Sequence, residues 1–459
     1  MNKVKAGILL FYLELYDEVL PNLRDVFYPL IEKIKKSLEE KFVEVIASDI
    51  CRKQKEFEIA VREFEIKKVD VIITLHLAYS PSLESIEALK STKIPLIVFD
   101  TSIKNEFSKE LFADDIMANH GIHGVQDMCN ILIRNKKPFL INAGHYEEKK
   151  VIDQLYNNIL SAKLFKSFFN SKIGSLGGPF LGMGDFFVEP EKLQSDFDFK
   201  IIEKDFKELS SFMPEHDSEE LKSENYEDLK NFDINFSDNE VHLNTNKVGL
   251  AVRKWIEKNN LDAFTMNFAN LPLESGVPTI PFLEASKAMA RAIGYAGEGD
   301  ILTSALTGAL LKISNSCTFT EMFCADWQNN IIFLSHMGEL NLNLISGRPL
   351  LIKKELAFIK VGTPVFAVGQ LRKGQAVLVN LAPGPSGYTL ILSEIEMIEI
   401  KNDIKESVSG WFKPKLSVPD FLTSYSEYGG THHCALCYDA DIDILKNFGK
   451  LAGFKVIVI

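Results

Sequence analysis

The 459-residue sequence has few cysteines, and their spacing indicates neither a disulfide framework nor a zinc site. Six cysteines are spread along the chain, and the pair Cys434-Ala-Leu-Cys437 has no second CxxC to complete a set of four thiolates. The pair also falls in a predicted strand, where side chains three residues apart point to opposite faces. We therefore expect free thiols and a reducing, cytoplasmic location.

Other missing features exclude classes of partner. The net charge of -12 argues against nucleic acid and against an anionic membrane surface, because both favour a basic protein face. No apolar run approaches the roughly 20 residues that a membrane-spanning helix needs. No G-x-G-x-x-G motif follows the first predicted strand and no P-loop is present, so the sequence does not indicate a bound nucleotide.

The first 171 residues alternate apolar runs with amphipathic segments. Ala6–Tyr12 is a continuous apolar run typical of a buried parallel strand, and Asn22–Glu40 places its apolar residues on one helical face. Repeated alternation of this kind predicts a doubly wound parallel sheet. Ligands bind such sheets beyond the carboxyl ends of the strands, where we expect His76, Asp100 and His145.

The fold class that we predict is α/β, with two doubly wound α/β domains followed by a C-terminal antiparallel β-barrel-like domain. After Ile345 the sequence consists of short β-rich runs separated by Gly and Pro, at 350–353, 357–361, 365–368, 376–380 and 388–398. The predicted boundaries are 1–171 for the N-terminal domain, 172–315 for the central domain and 316–459 for the C-terminal domain. The central domain contains an acidic segment near 203–240, which we interpret as a solvated insertion.

The stretch Ile293–Glu339 combines two acids with a histidine in otherwise apolar surroundings. Glu298 lies between two glycines, Glu321 lies in Phe-Thr-Glu-Met-Phe, and His336 follows a predicted apolar strand. Because a buried carboxylate without a partner costs several kcal/mol, each acid needs a hydrogen-bond network, a cation or a metal.

Ordinary structural roles remain open for each of these residues. Asp300 would cap the following helix well, which leaves Glu298 unexplained. A salt bridge would account for Glu321, although the nearest basic residue before it is Lys312. If its segment is a strand, Glu321 shares an inner face with Phe319 and Phe323. His336 by itself is compatible with a hydrogen-bonded core histidine.

His432 and His433 follow two glycines near the C-terminus. In an extended segment their side chains point to opposite faces, so we expect at most one of them to face a shared ion. Two glutamates and two histidines form a ligand set of oxygen and nitrogen. Such a set suits Mn²⁺, with Fe²⁺, Co²⁺ or Zn²⁺ as competitors, better than Ca²⁺ or a thiolate-binding metal.

Several short motifs, in the same order along the chain, resemble those of the L-arabinose isomerase family, within the fucose/arabinose isomerase superfamily. In the second half they are Gly294-Tyr-Ala-Gly-Glu-Gly-Asp, Phe319-Thr-Glu, Ser335-His-Met-Gly-Glu and Gly430-Thr-His-His. In the first domain they are Leu75-His-Leu-Ala-Tyr-Ser-Pro, Asn119-His-Gly-Ile-His-Gly and Gly144-His-Tyr.

The resemblance implies a Mn²⁺ site and an aldose–ketose isomerase. The implied metal ligands are Glu298, Glu321, His336 and His433. The two glutamates would also be the acid/base pair that moves a proton between C1 and C2 through a cis-enediol, whose charge the metal stabilises.

The resemblance further implies substrate contacts and an oligomer. His432 and His123 match other active-site histidines of the family. The family's active site lies at a subunit boundary, so His123 would serve a neighbour's metal site in a homotrimer or homohexamer. Where the family carries a substrate-contacting Gln-His pair, this chain has Leu13-Glu14. That change alters hydroxyl recognition and argues against L-arabinose as the substrate.

We therefore expect a Mn²⁺-dependent isomerase of an unphosphorylated sugar, since no phosphate-binding loop is visible. Two alternatives are a non-catalytic sugar-binding or regulatory protein and a metal-dependent sugar epimerase. The first predicts sugar binding that is independent of metal, and product analysis would identify the second.

Overall fold

The structure is a computed structural model that describes residues 3–107, 113–356, 360–401, 404 and 406–459. The contacts divide the chain into two compact units. The first comprises the described residues up to Lys166 together with Asp443–Gly453, and the second comprises Ser167–Ile442 and Phe454–Ile459. Within the described ranges, every helix is too short or too polar to cross a lipid bilayer.

The N-terminal part of the chain alternates strands and helices, as the sequence predicts. Its elements are β1 (Val4–Phe11), α1 (Leu15–Val19), α2 (Tyr28–Glu39), β2 (Val43–Cys51), α3 (Gln54–Ile66), β3 (Val71–His76), α4 (Ile86–Ser91), β4 (Leu96–Asp100), α5 (Ala113–Asn119), α6 (Gly121–Arg134), β5 (Phe139–Ala143) and α7 (Lys149–Phe168). The helix predicted over Asn22–Glu40 is split into a 3-10 turn, Leu23–Phe27, and α2. Pro29 lies in the first turn of α2, because proline is tolerated at a helix start and not inside a helix.

The strands of the first unit form one parallel sheet in the order β2-β1-β3-β4-β5. Successive residues of a strand pack into different cores, with Ile8 on one face of the sheet and Leu9 on the other. Both faces are therefore covered, which confirms the doubly wound arrangement. His76 and Asp100 end β3 and β4, and His145 closely follows β5, so the predicted placement of these three residues is confirmed.

The middle part of the chain again alternates strands and helices, and four of its strands form a second parallel sheet. Its elements are β6 (Lys172–Leu176), α8 (Pro190–Phe197), β7 (Lys200–Lys204), α9 (Phe206–Ser210), α10 (Glu219–Asn231), β8 (Asp233–Ile234), α11 (Asn239–Asn259), β9 (Ala263–Met266), α12 (Phe282–Ala290), β10 (Gly294–Gly297) and α13 (Ile301–Ile313). The sheet order is β10-β9-β6-β7, and all its pairs are parallel.

The interpretation of 203–240 as a solvated insertion is wrong for two of its acids. Glu224 pairs with Arg253 and with Lys287, and Asp228 is almost completely buried. Asp228 lies 2.5 Å from Lys287 Nζ and accepts a hydrogen bond of 2.9 Å from His242. These contacts tie α10 to α11 and α12.

The C-terminal part is mainly antiparallel. Its elements are β11 (Cys317–Asp326), β12 (Ile331–Ser335), β13 (Leu350–Lys353), β14 (Val365–Gln370), β15 (Gly374–Gly384), β16 (Gly387–Ile398), β17 (Val408–Pro414), α14 (Val418–Glu427), β18 (His433–Tyr438), α15 (Ile442–Ala452) and β19 (Lys455–Val458). Residues 357–359 of the strand predicted over 357–361 lie outside the described residues.

Six of these strands close into a barrel, in the order β16-β15-β18-β11-β12-β17, because β17 also pairs with β16. The predicted fold class is confirmed. The predicted boundaries fall directly before β6 and just before β11. The division of the chain into three domains stays a prediction.

Candidate metal centre

Glu298 lies in a sharp turn directly after β10, at the carboxyl end of a strand of the second parallel sheet. Its φ of 63° is in the left-handed region, and Gly299 follows with a φ of 84°. A non-glycine residue in this region costs roughly 1–2 kcal/mol, so packing must hold the turn in place. A Cβ on Gly297 would approach His336 Cε1 to 2.9 Å, and a Cβ on Gly299 would approach Gly178 O to 2.6 Å. The glycines on both sides of Glu298 therefore leave room for closely packed neighbours.

Three adjacent barrel strands bring the other acid and two histidines together. Glu321 on β11 is opposite His433 on β18 and opposite Ser335 on β12. His336 follows Ser335 directly. Because β11 lies between the other two strands, the pairing register brings Glu321 close to both histidines.

The expectation that Phe323 shares the inner face with Glu321 is wrong. Phe319 and Glu321 are buried, whereas Phe323 is 44% exposed. The pairing of β11 with β12 shifts register between Met322 and Cys324, and this irregularity ends the alternation of inner and outer side chains.

The four predicted ligands form one chain of close contacts, in which Glu321 contacts both buried histidines and Glu298 contacts His433. Glu321 Oε1 lies 3.0 Å from His433 Nε2 and 3.3 Å from His336 Nε2. Glu298 Oε2 lies 3.3 Å from His433 Nε2. The side chains of all four are almost completely buried.

Three atoms of this cluster are buried and make no hydrogen bond of good geometry, although each has an ion-pair contact of 3.0 to 3.3 Å: Glu298 Oε2, His336 Nε2 and His433 Nε2. Leaving a buried polar atom without a hydrogen bond costs roughly 1–3 kcal/mol, and more if the group is charged. All three atoms come from residue types that bind divalent cations. The residues present therefore fit a metal ion.

Each of the two buried histidines is oriented by a carboxylate on its other ring nitrogen. His433 Nδ1 donates a hydrogen bond of 2.9 Å to Asp300, and His336 Nδ1 donates one of 2.6 Å to Glu339. Tyr295 in turn donates a hydrogen bond of 2.6 Å to Glu339. Carboxylate–histidine pairs of this kind fix the tautomer so that Nε2 is free to bind a metal.

Asp300 serves the helix as well as the histidine. Its second carboxylate oxygen accepts a hydrogen bond of 2.8 Å from Thr303 N, so Asp300 caps α13, as the sequence suggested. The local sequence does not predict the contact between Asp300 and His433, because 133 residues separate the two.

The neighbouring histidines lower the pKa values of both glutamates. Burial raises the pKa of Glu298, but His432 and His433 more than offset this effect and bring the pKa to about 2. Burial also raises the pKa of Glu321, yet His336 and His433 hold that pKa well below its usual range. Both carboxyls are therefore ionised at neutral pH.

The pKa values of the buried histidines shift in the opposite direction. Burial lowers the pKa of His336, but Glu339 and Glu321 raise it to about 10. Burial also opposes protonation of His433, while Asp300, Glu298 and Glu321 raise the pKa of this residue well above its usual value. Two anions thus hold two protonated rings, and the same attraction would hold a divalent cation.

His432 also reaches the centre, and the expectation that at most one of the two adjacent histidines would do so is wrong. His432 Nε2 lies 3.6 Å from Glu298 Oε2, next to His433. His432 precedes β18 and is free of the alternation that a strand imposes. A potential metal-binding cluster therefore includes this histidine: its ligand atoms all lie within 4.8 Å of one another and come from Glu298, Glu321, His432 and His433. This cluster differs from the predicted set of ligands, because it contains His432 in place of His336.

Asp185 is a residue of this centre that sequence reasoning missed. Asp185 Oδ2 accepts hydrogen bonds from His432 N at 2.9 Å and from His432 Nδ1 at 2.7 Å. The neighbouring Phe186 stacks on His433, with ring centroids 4.5 Å apart. Both residues lie in a glycine-rich segment, whose sequence has no helical or strand-like pattern of apolar residues that would indicate which side chains point inward.

The remaining predicted site residues, Leu13, Glu14 and His123, belong to the first unit. Leu13 packs against a core of that unit, and Glu14 forms an ion pair with Lys53. His123 is exposed on α6, and its ring contacts that of His120.

Comparison with known proteins gives a consistent result over most of the chain. Three family models match, described as the L-arabinose isomerase N-terminal domain over residues 14–167, the central domain over 192–316 and the C-terminal domain over 316–455. L-arabinose isomerase 2 of Clostridium acetobutylicum is 23% identical over 96% of this chain and 93% of that protein. L-arabinose isomerase 2 of Bacillus licheniformis is 26% identical over 84% of each chain.

Among solved structures, a periplasmic solute-binding protein of an ABC transporter from Actinobacillus succinogenes, with bound D-allose, matches 68% of this chain and 92% of that chain. Its sequence identity is 12% and its TM-score is 0.18. At that score the similarity carries no argument about fold or ligand.

Proposed function

The chain belongs to the L-arabinose isomerase family and is an aldose–ketose isomerase; on this basis we propose that it uses Mn²⁺ to isomerise an unphosphorylated sugar other than L-arabinose through a cis-enediol. The observation that carries the proposal is a cluster of three buried ligand atoms that make no hydrogen bond of good geometry, beside an ionised Glu321. Glu298, Glu321, His336 and His433 would hold the ion. A bound divalent cation would stabilise negative charge on two adjacent sugar oxygens.

Glu298 and Glu321 are the groups that we propose move the proton. An ionised carboxylate accepts the proton from C2 of an aldose, the electrons of the broken C–H bond form the C1–C2 double bond, and O1 takes up a proton. Return of a proton to C1 and loss of the proton on O2 then give the ketose. The low pKa of Glu298 and of Glu321 keeps both in the form that accepts a proton at neutral pH.

The outer groups support this role by restraining the ligands. Asp300 and Glu339 hold His433 and His336 by their Nδ1 atoms, and the Phe186 ring covers one face of His433. Rigid support of this kind keeps the reacting groups in place. Because a water-excluded site strengthens charge interactions, the burial of the four ligands also favours the reaction.

The proposal that the sugar is not L-arabinose depends on Leu13 and Glu14, which stand where the family carries a Gln-His pair. A sugar pocket that lacks a hydrogen-bonding side chain binds poorly a sugar whose hydroxyl group would need that side chain as its partner. We also propose a cytoplasmic homotrimer or homohexamer in which His123 of one copy serves the centre of another.

The proposal is tested by incubating the Mn²⁺-loaded protein with a panel of pentoses, hexoses and deoxyhexoses and measuring ketose formation. We expect conversion of one sugar more efficiently than L-arabinose, with loss of activity after EDTA and recovery with Mn²⁺. Conversion that EDTA leaves unchanged would refute the metal requirement, and a clear preference for L-arabinose would refute the proposed substrate.

A further inference from the structure

We propose that Cys317 and Cys437 are a site of disulfide formation, oxidised as a pair by a small diffusible oxidant of the peroxide class. The two residues lie directly opposite each other in the antiparallel pair β11–β18. Both are free thiols, and each is only 1% exposed. The inference goes beyond the proposed function, because it requires neither a metal nor a sugar.

The register places the two cysteines at the kind of strand pair in which opposite side chains come closest. Tyr438 N donates a hydrogen bond of 2.9 Å to Ser316 O, so the neighbouring pair of the ladder is a hydrogen-bonded one. The two kinds of pair alternate in an antiparallel ladder, so Cys317 and Cys437 form a non-hydrogen-bonded pair. The Cα atoms of such a pair are roughly 4.5 Å apart, within the range of roughly 4.4–6.8 Å that a disulfide spans.

The two thiols contact each other. Burial and a side-chain hydrogen bond with Cys317 raise the pKa of the Cys437 thiol well above its usual value. Cys434 is the comparison within the same strand. It is also buried, but it lies opposite Thr320, and its thiol donates a hydrogen bond of 3.3 Å to Thr320 O. A buried cysteine commonly serves as a small apolar residue, which accounts for Cys434 and does not account for two thiols in contact.

Burial determines which oxidants can reach the pair. Helix α13 packs against both β11 and β18, and the thiols are closed off from solvent. Glutathione disulfide and protein disulfides need an exposed thiol, so we expect them to react at the exposed Cys324 instead. Hydrogen peroxide is nearly as small as water and can enter where they cannot. Because the thiolate is the reactive form, the raised pKa of Cys437 makes the reaction slow at neutral pH and faster as pH rises.

The reaction is a two-electron oxidation of the two sulfurs that reduces one peroxide. One thiol loses its proton, its sulfur attacks a peroxide oxygen, and the O–O bond breaks to give a sulfenic acid and hydroxide, which takes up the proton. The second sulfur attacks the sulfenic sulfur, the S–S bond forms, and the S–O bond breaks. The departing oxygen takes the proton of the second thiol, so two thiols and one peroxide give one disulfide and two waters.

The disulfide would join the two strands that carry Glu321 and His433. Side chains alternate along a strand, so Cys317 and Glu321 lie on one face of β11, and Cys437 and His433 lie on one face of β18. A disulfide that closes a long loop restricts the unfolded chain. We therefore expect the oxidised protein to unfold at a temperature at least roughly 2 °C higher than the reduced protein.

Peptide mapping by mass spectrometry tests the proposal. Folded full-length protein is treated with hydrogen peroxide, the remaining thiols are alkylated, and the peptides are analysed without reduction. We expect peptides linked through Cys317 and Cys437, and loss of the link and of the increase in unfolding temperature after dithiothreitol. Cys324→Ser removes an exposed thiol and is the matched control, which should form the same link. Cys317→Ser and Cys437→Ser should each lose the link and the peroxide-induced increase.

Three results would overturn the proposal. The first is that both thiols stay free under conditions in which peroxide has oxidised Cys324. The second is a sulfinic acid, or a disulfide to any other cysteine, at Cys317 or Cys437. The third is a link that forms only in urea-unfolded protein, because the fold would then not have created the site. Sugar isomerisation is measured separately, so failure of this proposal is distinguishable from failure of the proposed function.

Discussion

Glu321 and His433 lie opposite each other in the antiparallel pair β11–β18, and 3.0 Å separates Glu321 Oε1 from His433 Nε2. Glu298 reaches the same nitrogen from the turn after β10. The candidate metal centre is therefore assembled from the carboxyl end of a parallel sheet and from the wall of an antiparallel barrel, both in the second unit.

The two glutamates are predicted to be required for proton transfer. Glu298→Gln and Glu321→Gln each replace a carboxylate by an amide of similar size, which cannot accept the proton. We expect each change to lower kcat at least roughly 10²- to 10⁴-fold, the usual size of an acid–base contribution. Glu396→Gln, at an exposed position on β16, is the control and should retain full activity. Full activity in either site variant would remove that residue from the mechanism.

Asp300→Asn is predicted to separate the two roles of Asp300. Asparagine also caps helices well, so the stability of α13 should change little. The amide cannot replace the carboxylate that orients His433, and we expect Mn²⁺ affinity to decrease roughly 10- to 100-fold. Mn²⁺ titration and thermal unfolding of the metal-free protein measure the two effects. Unchanged affinity would show that Asp300 only caps the helix.

Mn²⁺ binding is predicted to release protons and to tighten as pH rises. In the metal-free protein the pKa of His336 is about 10 and that of His433 is also raised, so both rings are protonated at pH 7. A metal binds only the neutral ring, so each bound ring must lose its proton. Calorimetry in two buffers of different ionisation enthalpy should give a release of about one to two protons at pH 7. A Kd that does not change between roughly pH 6 and pH 8, a range that lies below the raised pKa of His336, would contradict the prediction.

The same shifts predict how the metal-free protein responds to pH. The raised pKa of His336 contributes stability that is complete below the ordinary histidine pKa of about 6.5 and is lost as pH rises through about 10. The lowered pKa of Glu298 contributes stability that is present above about 4.5 and is lost as pH falls through about 2. Urea unfolding of the unaltered protein and of His336→Gln, measured across pH 6 to 10 (roughly the span of the His336 shift), tests the first statement. A pH-independent difference between the two would contradict it.

The buried acid Asp228 is predicted to matter for stability and not for chemistry. Asp228→Ala would leave Lys287 and His242 without their buried partner, and breaking such a pair costs roughly 3–5 kcal/mol. Glu227→Ala removes the neighbouring, more exposed acid and should change the free energy of unfolding by no more than about 0.5 kcal/mol. Urea unfolding measures both. Equal effects of the two changes would show that burial of Asp228 contributes nothing.

Sequence patterns predicted the parallel sheets and the barrel, because apolar runs of strand length and helical faces are local signals. Glu298 and Glu321 could be identified because an acid in apolar surroundings requires an explanation. The contact of Asp300 with His433 could not be predicted, since it depends on how distant strands pack.

The sequence alone gives the wrong orientation for His432. The strand β18 begins at His433, so the alternation of side chains between the two faces of a strand does not extend to His432. Asp185 was missed because it lies in a glycine-rich loop between β6 and α8, where no periodicity indicates which side chain points inward.

The central claim is that this centre moves a proton between two carbons of a free sugar in a metal-dependent reaction. The direct measurement is NMR detection of deuterium at C1 or C2 of the sugar after incubation with Mn²⁺-loaded protein in D₂O. We predict incorporation into at least one pentose, hexose or deoxyhexose, and none with Glu321→Gln or after EDTA. Absence of deuterium from C1 and C2 of every sugar tested, in protein that has bound Mn²⁺, would contradict the account.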